Sequence, residues 1–219
     1  RKVVLGPQSN QTWIREFLYN GTGNLTKAKD NVSGDIGYEY DLAGRLVSSR
    51  LPDGSAQVFE HDLARNLIAQ PGLFGVSLGV GNQLATANGD TFAYNVRDHI
   101  SERTGPNGTT RYTYNARDQL TQVASDKLNW TAEYDPLGRR IKKSWDGNEV
   151  EFYWDENRLA AEVHNKSRTR FYVYDAPEAR VPFMFMEYDS PKADPKSGRS
   201  YFVFADQRGC PIRVEDAAG

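Results

Sequence analysis

The chain has 219 residues and a formal net charge of -2, with 27 lysines and arginines against 29 aspartates and glutamates. This balance argues against a nucleic-acid-binding protein, which would carry a basic face, and no apolar run reaches the roughly 18 residues of a membrane-spanning helix. A single cysteine, Cys210, excludes an internal disulfide framework, and the length suits one or two domains.

The chain begins with a short apolar segment, Val3–Leu5, which Gly6 and Pro7 terminate. We expect this segment to be the tail of an upstream strand. The first residue is Arg1 rather than methionine and no signal peptide follows, so we expect a fragment or a processed product.

Residues 38–46 contain the clearest copy of a sequence motif that predicts a strand, a tight turn and a second strand. Tyr38 and Tyr40 are two residues apart, so in an extended segment they point to the same face. The carboxylate of Asp41 can bond to the backbone two residues later, which starts a turn. Gly44 can adopt the positive φ that ends such a turn. The motif therefore predicts a β-hairpin.

This unit returns along the chain, mostly at steps of 20 or 21 residues, which is the period expected of repeat architectures. The aromatic residues before the turns are Tyr19, Tyr40, His61, Tyr94, Tyr114, Tyr134, Trp154, Tyr174 and, more loosely, Phe204. The polar residues that start the turns are Asn20, Asp41, Asp62, Asn95, Asn115, Asp135, Asp155, Asp175 and, one place late, Asp206. The aliphatic residues after the turns are Leu25, Leu46, Leu67, Ile100, Leu120, Ile141 and Leu159.

A second kind of turn lies between the units, at residues 52–54, 105–108 and 146–148, where Asp-Gly and Asn-Gly pairs signal hairpins. Glycine also occupies the first kind of turn at Gly138, whereas Arg65 replaces it in the third unit and must accept left-handed geometry or use another turn. Two alternating turn types predict an all-β fold, a continuous meander of repeated hairpins.

Residues 1–219 are predicted to form one repeat region, with insertions at 70–90 and 176–200. The first insertion contains residues 81–84, which resemble the second half of a unit whose first half has drifted, and a turn follows at residues 88–90. The second insertion contains an apolar run, residues 181–186.

The residue between two aromatic-face positions changes from polar early in the chain, as at Glu39, to apolar late, as at Tyr153, Val173 and Val203. We therefore expect the last third of the sheet to be covered on its second face, by another layer or by residues 176–200.

Residues 75–79 match the Gly-x-Ser-x-Gly nucleophile motif around Ser77, but that motif requires a helix after the turn, and the following glycines disfavour one. His61, His99 and His164 lack the spacing of metal ligands, so neither a metal nor another cofactor is predicted. Cys210 lies among apolar neighbours, which favours a buried, inert thiol. The tyrosines could stack on sugars or bases, although cross-strand aromatic contacts are the preferred interpretation.

The phrase Tyr-Asp-x-x-Gly-Arg-Leu, complete at residues 40–46, resembles the YD repeats of the RHS (rearrangement hotspot) family, and the likeness extends over nearly the whole chain. Near the C-terminus, Asp206, Gly209 and Pro211 match the Asp-x-x-Gly-x-Pro pattern at the end of an RHS core. The resemblance implies a long sheet that winds as a spiral into a hollow shell, a β-cocoon, around a C-terminal toxic domain. Such shells occur in bacterial polymorphic toxins, type VI secretion effectors and insecticidal toxin complexes, and animal teneurins carry a related one.

The sequence of residues 130–140 is most similar to the repeats of the bacterial effectors, and this resemblance implies a protein exported from the bacterial cytoplasm. The implied partners are the remainder of the shell, the enclosed toxin domain and a spike protein or chaperone of the secretion machinery. The family's self-cleavage motif, Asp-Pro-x-Gly-Leu, is not carried over, because Arg139 follows Asp135–Gly138 at an ordinary repeat turn.

Size also indicates a wall segment. Eight hairpins supply about 16 strands, which form a ribbon roughly 75 Å across and would close into a ring about 25 Å wide. A folded cargo of about 100 residues is about 34 Å across, so this piece cannot surround it. We expect an unpaired strand at each end.

Three functions are therefore compared: a non-catalytic segment of a toxin-enclosing shell, a carbohydrate- or receptor-binding β-module that uses exposed tyrosine and tryptophan, and a hydrolase centred on Ser77. We favour the first, which is not an enzyme.

Overall fold

A computed structural model describes residues 14–206 and 208–216, so the strand expected at Val3–Leu5 lies outside the described residues. The all-β prediction is confirmed: the described residues form strands and turns, with 3-10 turns at Val80–Asn82 and Pro195–Ser197. The strands are β1 (Arg15–Tyr19), β2 (Leu25–Asp30), β3 (Ile36–Tyr40), β4 (Leu46–Arg50), β5 (Ala56–Val58), β6 (Glu60–His61), β7 (Leu67–Ala69), β8 (Ser77–Leu78), β9 (Leu84–Ala87), β10 (Asp90–Tyr94), β11 (Ile100–Gly105), β12 (Gly108–Tyr114), β13 (Leu120–Ser125), β14 (Leu128–Tyr134), β15 (Arg140–Trp145), β16 (Asn148–Asp155), β17 (Arg158–His164), β18 (Arg168–Val173), β19 (Met184–Tyr188), β20 (Arg199–Ala205) and β21 (Pro211–Asp216).

The chain divides into two compact units. The first comprises residues up to Ala93 together with Arg103–Asn107, and the second comprises Tyr94–Glu102 and the residues from Gly108 onward. In the first unit β1–β5 form an antiparallel sheet in chain order, β6 pairs with β7, and β9 pairs with β8 and β10. In the second unit β12–β21 follow one another in chain order as antiparallel neighbours. Both arrangements are meanders of hairpins.

A β-bulge accompanies the repeat turns. Tyr40 pairs with Leu46 but Glu39 pairs with Ser48, so Val47 is an extra residue without a counterpart on the partner strand. The same shift occurs beside the pairs Tyr19–Leu25, His61–Leu67, Leu78–Leu84, Tyr114–Leu120, Tyr134–Arg140, Trp154–Leu159 and Ala205–Pro211. Because a bulge bends its strand and increases the local twist, the distortion is repeated with the sequence unit.

Residues 70–90 contain a repeat turn that the sequence pattern hides. Leu78 pairs with Leu84 beside a bulge, and the N–H of Gly79 donates to the carbonyl of Gln83 at 2.7 Å. Leu78 thus occupies the aromatic position and Gly79 the position of the turn acid. The long step from His61 to the next aromatic residue is divided by this turn.

Two residues were assigned to the wrong repeat positions. Ala205, not Phe204, pairs with Pro211 and directly precedes Asp206, so the turn acid is not late. Arg140, not Ile141, pairs with Tyr134 after the turn, and Ile141 is the bulge residue. Both differences have one cause: side-chain type suggests one place in the repeat, whereas the register of strand pairing determines the place that the residue occupies.

The apolar run of the second insertion supplies strand β19, which pairs with β18 and β20 inside the sheet. The expectation that residues 176–200 cover the second face is therefore wrong for this run. Tyr153 and Phe171 on that face are 50% and 48% exposed, and no second layer covers them within the described residues.

Complete burial is rare among the described residues. Val150, Thr169 and Ala28 are each 1% exposed, and the other buried residues are the apolar Ala87, Ala132, Ala161 and Phe185 and the polar Asp30, Ser49 and Glu187. Small side chains dominate this set because a single sheet buries a residue only where larger neighbours lean over it. The phenyl ring of Phe185, for example, stacks on Tyr201 with 4.9 Å between ring centroids.

Glycine in the repeat turn should affect stability through the backbone. Gly44 has φ 75°, and Arg65 has φ 71° at the equivalent position, which confirms left-handed geometry there. Because a side chain in this region costs about 1–2 kcal/mol, Gly44→Ala should lower the free energy of unfolding by about that amount, and Arg65→Gly should raise it by about 0.5 kcal/mol. Urea denaturation measures both changes.

Gly21→Ala is the matched control, because Gly21 has no positive φ and a methyl group there would meet no atom within 4 Å. Equal destabilisation by Gly21→Ala and Gly44→Ala would contradict the backbone explanation.

Candidate functional site: the turn ladder and the ring face

Most repeat turns are fixed by the side chain that starts them. In the second turn, Oδ1 of Asp41 accepts hydrogen bonds from the backbone N–H groups of Ala43 and Arg45, both at 2.9 Å. Its Oδ2 accepts a bond from Nε of Arg45 at 2.6 Å. The backbone closes the same turn, because the N–H of Gly44 donates to the carbonyl of Asp41 at 3.0 Å. The carboxylate thus satisfies donors that the turn removes from the sheet.

Other turns repeat this arrangement with either Asp or Asn. Backbone N–H groups two and four residues later donate to Asn20, Asn95, Asn115, Asp135 and Asp206. The turn at Asp155 is one residue shorter, and its carboxylate pairs with Arg158. Asp175 is exposed and accepts no hydrogen bond from a described residue.

Hydrogen bonding lowers the pKa of several turn carboxylates. The backbone N–H of Arg45 is the main cause for the lowered pKa of Asp41, and the side-chain amide of Asn66 is the main cause for that of Asp62. At Asp135, desolvation acts to raise the pKa, but bonds from the backbone and guanidinium of Arg139 outweigh it and the pKa is lowered. The turns therefore favour the charged carboxylate.

Arginines connect one repeat turn to the next. Nη1 of Arg45 donates to the carbonyl of Asp62 at 3.0 Å, and Nη1 of Arg97 donates to the carbonyl of Ala116 at 3.1 Å. Further bonds of this kind join Arg117 to Pro136, Arg139 to Glu156, and Arg158 to Pro177. We call this set of bonds between successive turns, within each unit, the turn ladder.

Aromatic side chains connect five of the turns to the turn before them. The hydroxyl of Tyr134 donates to the carbonyl of Leu120 at 2.8 Å. Backbone pairing between β13 and β14 ends at Gln122 and Thr131, so this bond acts beyond the last strand pair. Equivalent bonds join Tyr40 to Leu25, Tyr114 to Ile100, Trp154 to Arg140 and Tyr174 to Leu159, at 2.8–3.0 Å.

Sequence reasoning missed this role of the aromatic residues, although a signal was present. The chain contains 10 phenylalanines, yet the aromatic positions that the structure retains hold Tyr, Trp or His, each with a polar atom on its ring. Burial alone would have accepted phenylalanine. The preference is explained by the need for a hydrogen-bond donor at the end of the ring.

The second unit carries different chemistry on the two faces of its sheet. Trp130 pairs directly with Trp145, and Lys143 pairs with Ala132 and Val150, so these residues lie on one face, which we call the ring face. The opposite face carries ion pairs such as Lys142–Glu149, with 2.8 Å between Nζ and Oε2. Towards β18 and β20 the opposite face becomes apolar and partly exposed, as at Phe171 and Phe202.

The residues considered for catalysis or metal binding are not assembled into a site. The hydroxyl of Ser77 lies 2.7 Å from Oγ1 of Thr86, and a 3-10 turn rather than an α-helix follows it. His99 stacks on Tyr114 with 4.7 Å between ring centroids, and Nε2 of His164 lies 2.9 Å from Glu162. Within residues 14–206 and 208–216, no three His, Cys, Asp or Glu side chains converge in a way that could hold a metal ion.

Cys210 is exposed, so the expectation of a buried thiol is wrong. It is the last residue of a repeat turn, where its backbone N–H donates to Asp206 at 3.0 Å while its side chain points outward.

In the part of the chain that the structure describes, no helix has the length and apolar character needed to span a membrane.

Removing a tyrosine hydroxyl from the turn ladder should destabilise the fold. Tyr134→Phe deletes the donor to Leu120 but keeps the ring, so the free energy of unfolding should fall by about 1 kcal/mol. Tyr153→Phe is the control, because its half-exposed ring bonds only to the partly exposed Glu151 and the change should stay within about 0.5 kcal/mol. Urea denaturation of both variants measures the difference, and equal losses would refute a special role for the ladder tyrosines.

The charge of Asp135 should stabilise the protein only where the carboxylate is ionised. Asp135→Asn keeps the acceptor for the backbone of Leu137 and Arg139 but loses the charge that bonds to the guanidinium. Because the pKa is lowered by folding, the stabilisation is present above the unfolded pKa of about 3.9 and disappears as the pH falls through the folded value.

Thermal melting from pH 7 to pH 2.5 should therefore show a Tm difference between the wild type and Asp135→Asn that shrinks below about pH 4. Asp175→Asn is the control and should resemble the wild type throughout this range. A Tm difference for Asp135→Asn that does not change with pH would contradict the charge effect.

Comparison with known proteins identifies curated relatives that match most of the chain. Double-stranded DNA deaminase toxin A of Burkholderia cenocepacia (strain H111) is 31% identical over 243 aligned positions, which cover 99% of this chain and 17% of the relative. Toxin protein Tse5 of Pseudomonas aeruginosa is 28% identical, covering 80% of this chain and 16% of its own length. Teneurin-3 of Danio rerio is 24% identical, and the alignment covers 94% of this chain and 8% of that relative. The chain thus spans at most about a sixth of these relatives.

Solved structures also resemble the chain. The crystal structure of TcdB2-TccC3-Cdc42 aligns with a TM-score of 0.42 and 13% identity, over 96% of this chain and 14% of that one. The family model of the teneurin YD-shell matches residues 3–219. The chain therefore belongs to the teneurin YD-shell family, and it is an RHS/YD-repeat shell protein.

Proposed function

We propose that this chain is a structural, non-catalytic segment of a shell that encloses a C-terminal toxin domain of the same polypeptide for secretion. The turn ladder is the observation that carries the proposal. The turns at Asp41, Asn115, Asp135 and Asp155 bond forward through arginine and backward through tyrosine or tryptophan, so a further repeat can be added by the same bonds. Such an arrangement suits a wall of any length and assembles no reacting groups.

The size of the relatives supports this proposal. Relatives with toxin names are about six times as long as this chain, which leaves room for further repeats and for another domain. We infer that residues 1–219 form one repeat region within a larger shell. Its partners would be the remainder of that shell, the enclosed domain, and a spike protein or chaperone of a bacterial secretion system. The polypeptide would be made in the cytoplasm and exported as an effector.

The geometry does not favour the carbohydrate-binding alternative. Sugars stack on open ring faces, but the guanidinium of Arg140 lies 5.2 Å from the ring centroid of Trp130, and Nζ of Lys143 lies 5.4 Å from that of Trp145. Each of these two rings therefore already has a cation over it, where a sugar would have to stack.

Protease protection of the C-terminal domain tests the proposed function. In the full polypeptide that contains this chain, the domain should be cleaved at least about tenfold more slowly than when it is expressed alone. Removing two ladder bonds with Arg117→Ala and Arg139→Ala should open the wall and restore much of the cleavage, because bonds of about 1 kcal/mol each change an open population about tenfold or more. Gel electrophoresis over time measures the rates.

Arg111→Ala is the control variant, because Arg111 pairs with Glu102 on a strand at 3.1 Å and not with a turn. Equal cleavage of the domain inside the full polypeptide and alone would refute enclosure. Equal effects of the ladder variants and Arg111→Ala would refute the role assigned to the turn ladder.

A further inference from the structure

A cluster of cations and aromatic rings lies at the centre of the ring face. Its members come from β14, β15 and β16, and strand register places them on the same side of the sheet. We call it the cation–ring cluster, and it consists of Trp130, Tyr134, Arg140, Lys143, Trp145 and Phe152.

Arg140 lies between two rings of the neighbouring strand. Its guanidinium carbon is 5.2 Å from the ring centroid of Trp130 and 5.7 Å from that of Tyr134. Ala132, which is only 7% exposed, is the residue between these rings on β14, and its small side chain leaves room for the guanidinium.

The hydrogen-bonding capacity of Arg140 is largely unused. Its Nε is buried and has no hydrogen-bond partner, and one Nη atom makes a long 3.5 Å contact with the hydroxyl of Tyr134. No carboxylate of the described residues pairs with it. The buried Nε cannot be reached from outside, but the Nη atoms of Arg140 are not buried and, apart from the long contact with Tyr134, remain available to an external acceptor.

Lys143 adds a second unpaired cation next to Arg140. Its Nζ lies 5.4 Å from the ring centroids of both Trp145 and Phe152, and it forms no ion pair with a described residue. Elsewhere on this face a cation near a ring does have a carboxylate, since Nε of Arg170 lies 2.8 Å from Glu187. The cluster therefore carries two positive charges that the described fold does not neutralise.

The chemistry of the cluster favours carboxylates in a peptide as the ligand. A guanidinium presents paired donors that match a carboxylate, and an ammonium adds a point charge. Phosphate polymers fit less well, because Glu162 pairs directly with Phe152 at the border of the cluster and would repel a continuous anion. Sugars fit less well because a cation already lies over each of these rings, on which a sugar would have to stack.

We propose that the cation–ring cluster binds an extended acidic peptide, in which one carboxylate pairs with Arg140 and a second, two residues along, pairs with Lys143. Side chains two apart in an extended segment project to the same side about 7 Å apart, a distance that two long cationic side chains on one strand can match. The identification of this peptide as part of the enclosed domain rests on the proposed function, but the site itself does not.

Fluorescence anisotropy with a labelled peptide tests this site on the 219-residue chain. The probe is an eight-residue peptide that contains Glu-Phe-Glu, and the matched peptide contains Gln-Phe-Gln. The Glu peptide should bind at least about tenfold more tightly, and Arg140→Gln and Lys143→Gln should each weaken its binding about tenfold, since each removes a charge-assisted bond. Added salt should weaken binding of the Glu peptide only.

Arg111→Gln is the control variant, with the same change of charge on the opposite face of the sheet. It should leave the affinity for the Glu peptide unchanged. Arg140→Lys keeps the cation between the rings but loses the paired donors, so it should weaken binding even if Arg140→Gln does not fold in a thermal melt.

Three results would overturn the proposal: equal affinity for the Glu and Gln peptides, equal losses in Arg111→Gln and Arg140→Gln, or no binding of the Glu peptide at millimolar concentration. Tighter binding of a single-stranded octathymidylate or of a uronic acid oligosaccharide would also overturn the assignment to a peptide. Because no toxin domain is present in this assay, its failure leaves the protease test of enclosure unaffected.

Discussion

The hydrogen bond from the ring of one repeat to a carbonyl of the repeat before it is the interaction on which the rest of this structure depends. Backbone pairing between successive hairpins stops before the turns, as it does at Gln122 and Thr131. Beyond that point the sheet edge would fray without another donor. The hydroxyl of Tyr134 provides one, and the arginines of the turns act in the opposite direction along the chain.

Incomplete burial of the strand residues makes such directional bonds unusually important. A two-layer domain excludes water from one face of each sheet, whereas here most residues within the strands are only partly buried, and full burial falls mainly on small side chains. Apolar burial therefore stabilises each hairpin less than it would in a layered core. Bonds at the turn edge, repeated once per unit, compensate for part of this deficit.

The two faces of the second unit divide the remaining roles. The opposite face is polar near β15 and apolar near β19, while the ring face combines aromatic side chains with cations over much of its area. Most of these cations have a carboxylate partner within the fold. Arg140 and Lys143 do not, and this difference separates a binding surface from a merely stabilising one.

The sequence alone determined the hairpins and their turns, because turn chemistry is local: Asp41 acts on residues two and four positions later, and that spacing is visible in any copy. It also determined the all-β fold and the family. Only the tertiary structure decided the register, which moved Ala205 into the position expected for Phe204 and revealed a repeat at Leu78. The bonds of the turn ladder and the lack of a carboxylate partner for Arg140 were also decided by the tertiary structure, because they depend on which strands lie next to each other. Strand neighbours are set by cooperative pairing along the whole sheet and not by the identity of residues nearby in sequence.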